Sequence, residues 1–455
     1  MTKRPLLRPA GLLCLMILLC TCVRAQTTLT LDEALDWTLR EHPLARAADA
    51  VEQRGAAAAL ELRALTDPKL KAEYDRKDFK GTEYYDYGKA ELSWQSPFAF
   101  EILGGYQVAE GTFLNAERTL PDAGQAYLAI KVPLLRGLLL DEVRIGRRRA
   151  ELQVERQRAL GRVLRNELRY DLTVRYLDWA YANDLLALNQ EVARFLNEQL
   201  ENSRGLYRQG DKPAVDTLEY SVYLNDQLLT VQQSANDLLL AARALQELYW
   251  PLGPDDRPLP LATVSTPQGP LAPDFTTHPE LLDLQLQLVD VSLQRDLKRE
   301  ALKPVLDAEY YLLGDGLDLP ETERSALSAN YKLGVTASYP LLNRKARAGL
   351  QLGELKVLET EAKLQAKDQA LRTKVEAYTA ALVNYRQQLA AAERLAVQSA
   401  QLLAAEQQLY DLGESTQFLL NTRAQALLKA RMTVAKSRFG LATAATTRRY
   451  LLAAE

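Results

Sequence analysis

The chain contains 455 residues, of which 47% are hydrophobic and 25% are charged, and its formal net charge is −3. These proportions are those of a folded chain rather than a disordered one, and the length is sufficient for several ordinary domains. The mildly acidic balance argues against nucleic-acid binding.

We predict that residues 1–25 are a secretory signal peptide. Three basic residues precede an apolar run over 12–20, and Val23-Arg24-Ala25 is an acceptable cleavage site before Gln26. Two alternatives stay open: an uncleaved membrane anchor, for which the apolar run is short, and a lipoprotein, for which residues 19–22 are a poor lipidation sequence. All three cysteines lie in this segment, so we expect no disulfide or thiol chemistry in the remainder.

The remainder of the chain contains an internal duplication. His42-Pro43 is followed by the segment Pro68–Tyr74, and His278-Pro279 is followed by the similar segment Pro304–Tyr310. Both pairs are offset by 236 residues. A repeat of this size indicates that each half completes an architecture that the two halves share.

The first repeat, residues 26–250, is predicted to comprise a helix, strands and a long helical hairpin. The helix begins after Thr30, which with Glu33 forms a capping box, and its helical spacing continues without a break to the strands. Strands follow over about 68–133, including one additional hairpin, and a helical hairpin follows over 138–249. The first helix of this hairpin has about 70 residues, or on the order of 100 Å at ~1.5 Å per residue.

Residues 251–275 hold seven prolines and are predicted to be an extended linker. The second repeat, residues 276–455, follows the same order, with a helix, strands over about 304–340 and a helical hairpin over 344–452. The apolar positions of its first long helix recur mostly at spacings of four and three, which predicts a heptad seam against a partner helix. These positions are Leu364, Leu371, Val375, Tyr378, Leu382, Tyr385, Leu389 and Ala392.

The segment over 331–339 alternates between an apolar and a polar face. One face carries Tyr331, Leu333, Val335, Ala337 and Tyr339, and the other carries Lys332, Gly334, Thr336 and Ser338. An apolar face with tyrosines at both ends is typical of a membrane β-barrel strand, although a half-buried soluble strand alternates too. We expect Lys332, Thr336 and Ser338 to face the lumen of a barrel.

The first repeat has 29 more residues than the second between its His-Pro and Pro-Leu-Leu sequences. Because Ala90–Gln95 and Leu103–Glu110 both resemble strands, the additional hairpin is predicted there. The hairpin either enlarges the barrel or lies over it as an extracellular loop, and the sequence leaves both arrangements open.

Taken in order, these features resemble the outer-membrane efflux protein family, the TolC-like channels. The resemblance covers nearly all of the chain after residue 25. It rests on a duplicated set of short sequences: Leu31–Leu35 with His42-Pro43, then Val132–Gly137 and Tyr339–Leu342 between strands and long helices, then Tyr207–Gly210 and Tyr410–Gly413 at the helix turns.

The resemblance implies a mainly α fold with a membrane β-barrel portion, built from a duplicated strand and long-helix repeat. In this fold, strands of three protomers close one barrel in the outer membrane, and their helices continue it as a coiled-coil tunnel across the periplasm. The Pro-rich linker over 251–275 is then expected at an equatorial girdle around the tunnel.

The resemblance also implies a functional site at the two helix turns, which in this family close the periplasmic end of the tunnel. The predicted gate comprises Tyr207, Gly210, Asp216, Glu219, Tyr410, Gly413 and Glu414. Tyr410 and Asp216 are candidates for polar links that hold the aperture shut, whereas Asp216 and Glu414 could equally be helix caps. The family often has an arginine where this chain has Ser415, so we expect closure to depend more on Tyr410, Asp216 and packing around the two glycine turns than on a salt-bridge network.

The function that these expectations favour is a homotrimeric outer-membrane channel, the exit duct of a tripartite efflux or type I secretion system. Its expected partners are a periplasmic adaptor protein, an inner-membrane pump and outer-membrane lipid. Because the sequence contains only two histidines and no catalytic or phosphate-binding motif, we expect no enzyme activity, no cofactor and no metal site. The alternative is a periplasmic coiled-coil scaffold or adaptor protein without a barrel, and drug, metal and protein cargo all remain open.

Overall fold

A computed structural model describes residues 28–116, 119–211, 213–264, 275–317 and 330–453. The predicted signal peptide and residues 265–274 of the predicted linker lie outside these ranges. The chain divides into two compact units. The first comprises Met1–Ala45, Asn166–Ala272 and Lys374–Glu455, and the second comprises Arg46–Arg165 and Pro273–Thr373.

Seven α-helices account for most of the described chain. They are α1 Leu31–Glu41, α2 Pro43–Arg63, α3 Glu142–Gln209, α4 Ala214–Gln246, α5 Pro279–Glu300, α6 Arg344–Asp411 and α7 Gln417–Leu451. In the described part of the chain, no helix combines the length and the apolar character needed to cross a membrane.

The first helix begins as predicted but ends earlier. The Thr30 hydroxyl accepts a hydrogen bond from the Glu33 amide (3.2 Å), and the Glu33 carboxylate accepts one from the Thr30 amide (2.9 Å). The predicted continuous helix is wrong at His42, which is extended, with φ −68° and ψ 138°. Pro43 explains the break, because a proline disfavours the helical conformation of the residue before it, and α2 starts at that proline.

The two long helices are equal in length. Both α3 and α6 contain 68 residues, which corresponds to roughly 100 Å at ~1.5 Å per residue. Along α6, all eight positions of the predicted heptad seam are buried or half-buried, and most positions between them are exposed. The heptad prediction is therefore confirmed, because one stripe of the helix is covered along its length.

A six-stranded antiparallel sheet lies in the second unit, in the order β2-β3-β4-β5-β7-β8. Its strands are β2 Lys69–Phe79, β3 Thr82–Gln95, β4 Glu101–Glu110, β5 Gln125–Pro133, β7 Val305–Leu313 and β8 Tyr331–Ser338. Lys80 and Gly81 join β2 to β3, and both have positive φ (54° and 74°), as a two-residue hairpin turn requires. The first repeat thus contributes four strands and the second two, and β3 and β4 lie within the sheet between β2 and β5.

The pairing register gives the sheet one apolar face and one polar face, because side chains alternate along each strand and cross-strand partners share a face. The apolar face is largely exposed in the single chain. Its exposed large side chains are Leu70, Tyr74, Leu92, Trp94, Val108, Leu128, Ile130, Tyr331, Leu333 and Val335.

The core of the first unit is built around Tyr176 of α3, which is fully buried. Its hydroxyl donates to the Leu29 carbonyl (2.7 Å) and accepts from the Leu259 amide (3.2 Å). These two contacts flank a small parallel pair formed by β1 (Thr28–Leu29) and β6 (Arg257–Pro258). The predicted Pro-rich linker therefore includes a short strand in its described part.

Candidate functional site at the two helix turns

The turn between α3 and α4 is closed by a glycine in the left-handed conformation. Gly210 has φ +82°, and its amide donates to the Tyr207 carbonyl (3.0 Å). The Asp211 amide donates to the Leu206 carbonyl (3.0 Å). This pair of bonds is the Schellman motif, which satisfies the last carbonyls of a helix and favours glycine at the turning position.

The turn between α6 and α7 repeats the same arrangement. Gly413 has φ +78°, its amide donates to the Tyr410 carbonyl (3.0 Å), and the Glu414 amide donates to the Leu409 carbonyl (2.8 Å). Tyr207 and Tyr410 therefore occupy equivalent positions in the two copies. The internal duplication extends to the hydrogen bonds of the turns.

The structure brings Asp216, Tyr220 and Tyr410 together in the first unit. Burial raises the pKa of the Tyr410 phenol, and the carboxylates of Asp216 and Asp411 raise it further. Burial also raises the pKa of Tyr220, with smaller contributions from Tyr410, Glu219 and Asp216. The two hairpins thus meet at these side chains, and burial and the nearby carboxylates favour the neutral phenol of both tyrosines.

Two other predicted gate residues, Tyr207 and Glu219, are exposed, whereas the three residues of this cluster are buried or half-buried. Tyr207 is 51% exposed. The Glu219 carboxylate accepts a hydrogen bond from the Tyr223 hydroxyl (2.9 Å) on its own helix. The equivalent positions of Tyr207 and Tyr410 therefore have different surroundings.

The helix-cap alternative for Asp216 and Glu414 is wrong. Pro213 is the N-cap of α4, and Asp216 lies in the first turn of that helix. Thr416 caps α7, and its hydroxyl accepts from the Leu419 amide (3.3 Å). Asp216 is still favourably placed, because a carboxylate near a helix N-terminus interacts well with the helix dipole.

A charged link at the second turn was missed in the sequence. The Glu406 carboxylate is buried (7% exposed). It accepts a hydrogen bond from the Ser415 hydroxyl and forms an ion pair with Arg423 of α7 (3.4 Å). Ser415 takes part in this link, which lies within one hairpin. The expectation that closure depends more on Tyr410, Asp216 and packing than on a salt-bridge network stays a prediction. Glu406 was missed because it is one of many acidic residues on a long helix, and no spacing distinguishes it.

The predicted lumen residues share the polar face of the sheet. Lys332 pairs with Tyr311 of β7 and lies over its ring, with Nζ 5.7 Å from the centroid. Thr336 pairs with Asp307, and Ser338 pairs with Val305. Farther along the same face, Lys131 forms ion pairs with Glu309 (3.0 Å) and Asp307 (3.7 Å).

A second polar group on this face is centred on Glu91 of β3. It accepts a hydrogen bond from the Tyr127 hydroxyl (2.6 Å) and forms an ion pair with Lys89 (2.7 Å). Polar side chains of this face thus pair with one another, whereas the opposite face carries exposed apolar groups. Within the described residues, no group of three or more histidine, cysteine, aspartate or glutamate side chains could hold a metal ion.

Comparison with solved structures identifies outer-membrane channels with the same fold. VceC from Vibrio cholerae matches with a TM-score of 0.67 and 14% identity, over 93% of this chain and 96% of its own. MtrE from Neisseria gonorrhoeae, in its open state, has a TM-score of 0.67 and 14% identity, over 93% and 89%. CmeC from Campylobacter jejuni has a TM-score of 0.65 and 13% identity, over 93% and 85%.

No protein-family model and no curated protein sequence matches this chain significantly. The structural likeness nevertheless extends over nearly the whole chain and nearly the whole of each channel. The chain therefore has the mainly helical fold of the outer-membrane efflux channels, and the predicted resemblance is confirmed at the level of fold.

Proposed function

We propose that this protein is a homotrimeric outer-membrane channel that provides the exit duct of a tripartite export system. The main support is the fold, which this chain shares with outer-membrane efflux channels over 93% of its length. In the proposed assembly, strands of three copies close one barrel in the outer membrane. The helices continue it as a tunnel in the periplasm, and the helix turns gate the periplasmic end.

The two faces of the sheet give independent support to this proposal. Leu333 and Val335 are each 62% exposed on the apolar face, and the opposite face carries paired charges. A continuous exposed apolar face is unfavourable in water. In a membrane barrel the apolar face would contact lipid, and the charged face would line an aqueous lumen. A periplasmic scaffold without a barrel, the alternative function, would leave this face uncovered.

The proposed channel performs no chemistry, so the energy for transport has to come from a partner. We assign that role to an inner-membrane pump, joined to the channel by a periplasmic adaptor protein that docks on the helices near the turns. Tripartite efflux and type I secretion both use a duct of this kind, and the cargo would be set by the pump.

Membrane fractionation and conductance measurements test the proposal. The protein should stay with the outer membrane after a carbonate or high-salt wash, migrate as a trimer after mild detergent extraction, and form pores in planar bilayers. Release by the wash together with an absence of pores would favour the scaffold function instead.

A further inference from the structure

The six-stranded sheet ends in two exposed edge strands, β2 and β8. All eleven residues of β2 are exposed, as are seven of the eight residues of β8. An edge strand presents unpaired backbone amides and carbonyls and is a template for pairing with another chain, and a closed barrel removes such edges. Because β2 and β8 lie at opposite edges of an antiparallel sheet of six strands, β8 of one copy can pair with β2 of the next in the same antiparallel sense.

The pairing inside one copy determines how the sheet is staggered. A row of directly paired residues crosses it from Lys69 in β2 to Lys332 in β8, through Ser93, Leu103, Ala129 and Tyr311. We count from the strand ends that connect to helices, or in β3 and β4 from the ends beside their connecting loop. Counted along each strand from that end, the residue of the row lies 0, 2, 2, 4, 6 and 6 positions away in β2, β3, β4, β5, β7 and β8, respectively. The row therefore climbs steadily, at about one residue per strand.

The same climb fixes the register between copies. If the next copy continues it, Lys332 pairs with a residue six or eight positions above Lys69, because only even shifts keep the two faces aligned. A shift of six places Asp75 opposite Lys332. A shift of eight places Lys77 there, which sets two like charges directly opposite each other, and it also requires Pro340 to pair with Lys69, although proline has no amide to donate.

The register with Asp75 also matches the other side chains of the two edges. On the polar face, the Asp75 carboxylate meets the Lys332 ammonium. On the apolar face, Tyr74 lies opposite Leu333 and Ala72 lies opposite Val335. The large side chains of one edge thus oppose apolar partners on the other, and such cross-strand pairs are the unit that stabilises a sheet.

We infer that β2 of one copy pairs with β8 of the next, with Asp75 opposite Lys332, and that three copies close a barrel of eighteen strands in which the additional hairpin β3–β4 forms part of the wall. This inference rests on the trimer proposed above. A climb of six residues per copy gives a total shear equal to the number of strands, a ratio that corresponds to a strand tilt of about 36°. That tilt lies within the range of about 35–45° found for β-barrels.

The inference settles the choice that the sequence leaves open for the additional hairpin. Without β3 and β4, each repeat would contribute two strands and the trimer twelve. Since barrel diameter grows roughly linearly with strand number, the hairpin widens the barrel about 1.5-fold at the membrane level. The duct at the membrane level is then wider than a twelve-stranded barrel would make it.

Disulfide crosslinking between copies tests this register. The double variant Asp75→Cys with Lys332→Cys should form disulfide-linked trimers under mild oxidation, seen on non-reducing gels of membrane-extracted protein. Directly opposed cross-strand residues have Cα separations within the range of about 4.4–6.8 Å that a disulfide requires. The two single variants measure the background, including any contribution from Cys14, Cys20 and Cys22.

Two further double variants displace the register by two residues in either direction. Lys77→Cys or Glu73→Cys, each combined with Lys332→Cys, should crosslink roughly tenfold less, because diagonal neighbours lie beyond the distance that a disulfide spans. Pores and trimers without crosslinking at positions 75 and 332, or with stronger crosslinking of a displaced pair, would overturn this inference and leave the channel function standing. Loss of pores and trimers in the unsubstituted protein would instead overturn the proposed function.

Discussion

Gly210 and Gly413 hold the two helix turns in a conformation that other residues adopt only at a cost. An added Cβ would meet no heavy atom within 4 Å at either position, so the cost comes from the backbone alone. We predict that Gly210→Ala and Gly413→Ala each destabilise the protein by about 1–2 kcal/mol, the penalty for a left-handed residue with a side chain. Thermal unfolding and hydrogen exchange of the turns would measure the effect.

Gly205 provides a matched control four residues before the end of α3. It lies inside the helix, and an added Cβ there also meets nothing within 4 Å. Gly205→Ala should therefore stabilise the helix by roughly 0.5–1 kcal/mol. The same sign for all three substitutions would contradict the structural account of the turns.

The Glu406–Arg423 pair is the strongest charged contact that we assign to the second turn. Arg423→Ala leaves the buried Glu406 carboxylate with Ser415 as its remaining partner. We therefore expect the free energy of unfolding to fall by about 1–3 kcal/mol and hydrogen exchange in the α6–α7 turn to become faster. In the first hairpin, Arg204 and Glu201 form an exposed pair one helical turn apart, with side chains 47% and 57% exposed. Arg204→Ala should therefore lower the free energy of unfolding by about 0.5 kcal/mol or less. If both substitutions lower it equally, the Glu406 carboxylate is effectively solvated.

Sequence reasoning at the residue scale predicted part of this site. Gly210, Gly413 and the pair of Asp216 with Tyr410 were accessible, because short repeated sequences and a family resemblance mark them. Glu406 and Arg423 were not, since their contact depends on how α7 folds back along α6, and a sequence does not give the rotation of one helix against another. The helix-cap alternative failed for a similar reason. The N-caps Pro213 and Thr416 lie three and two residues away from the expected positions, Asp216 and Glu414.

At the scale of elements, periodicity was the most informative signal. The spacing from Leu364 to Ala392 predicted the covered stripe of α6, and alternation in β8 predicted its two faces. Both patterns follow directly from the geometry of a helix and a strand. The break at His42 was missed although Pro43 is visible in the sequence, because the apolar spacing on both sides is continuous.

The two faces of β8 give a prediction for the sheet. If Val335 lies near the middle of the bilayer, Val335→Arg should destabilise the assembled protein by about 2–4 kcal/mol. Thr336→Arg, one residue away on the polar face, should mainly change conductance, because its side chain would enter an aqueous lumen. Resistance of the trimer to heat in detergent measures the first effect, and planar-bilayer recording measures the second. Similar losses of assembly from both substitutions would contradict the assigned faces.

At the scale of the whole molecule, the cluster of Asp216, Tyr220 and Tyr410 gives a prediction for gating. A single polar link contributes only about 0.5–1.5 kcal/mol, but in the proposed trimer three copies would repeat it around one aperture. Asp216→Ala combined with Tyr410→Phe should therefore raise single-channel conductance and weaken cation preference, most visibly at low salt, where charges are least screened.

Tyr207→Phe serves as the control for the gate, since it alters the equivalent tyrosine of the other turn, which is exposed. It should leave conductance and selectivity unchanged. If the double variant also matches the parent protein at low ionic strength, the narrowest point of the channel lies away from these turns.

The duplicated architecture was the largest feature that the sequence alone could predict, because two copies of a pattern in one chain are visible without any relative for comparison. The position of the additional hairpin was not, since its strands could pair in the sheet or fold over it with the same alternation. The backbone pairing of β3 with β2 and of β4 with β5 decides that question for the single chain.

The equal length of α3 and α6 constrains how this protein can diverge. Inserting one residue into only one of them would move its turn by ~1.5 Å and rotate it by about 100° relative to the other. The cluster of Asp216 and Tyr220 with Tyr410 would then be displaced. Related sequences should therefore gain or lose residues in both helices at once, or in neither, whereas the strands, which already differ by a whole hairpin between the two halves, are free to vary independently.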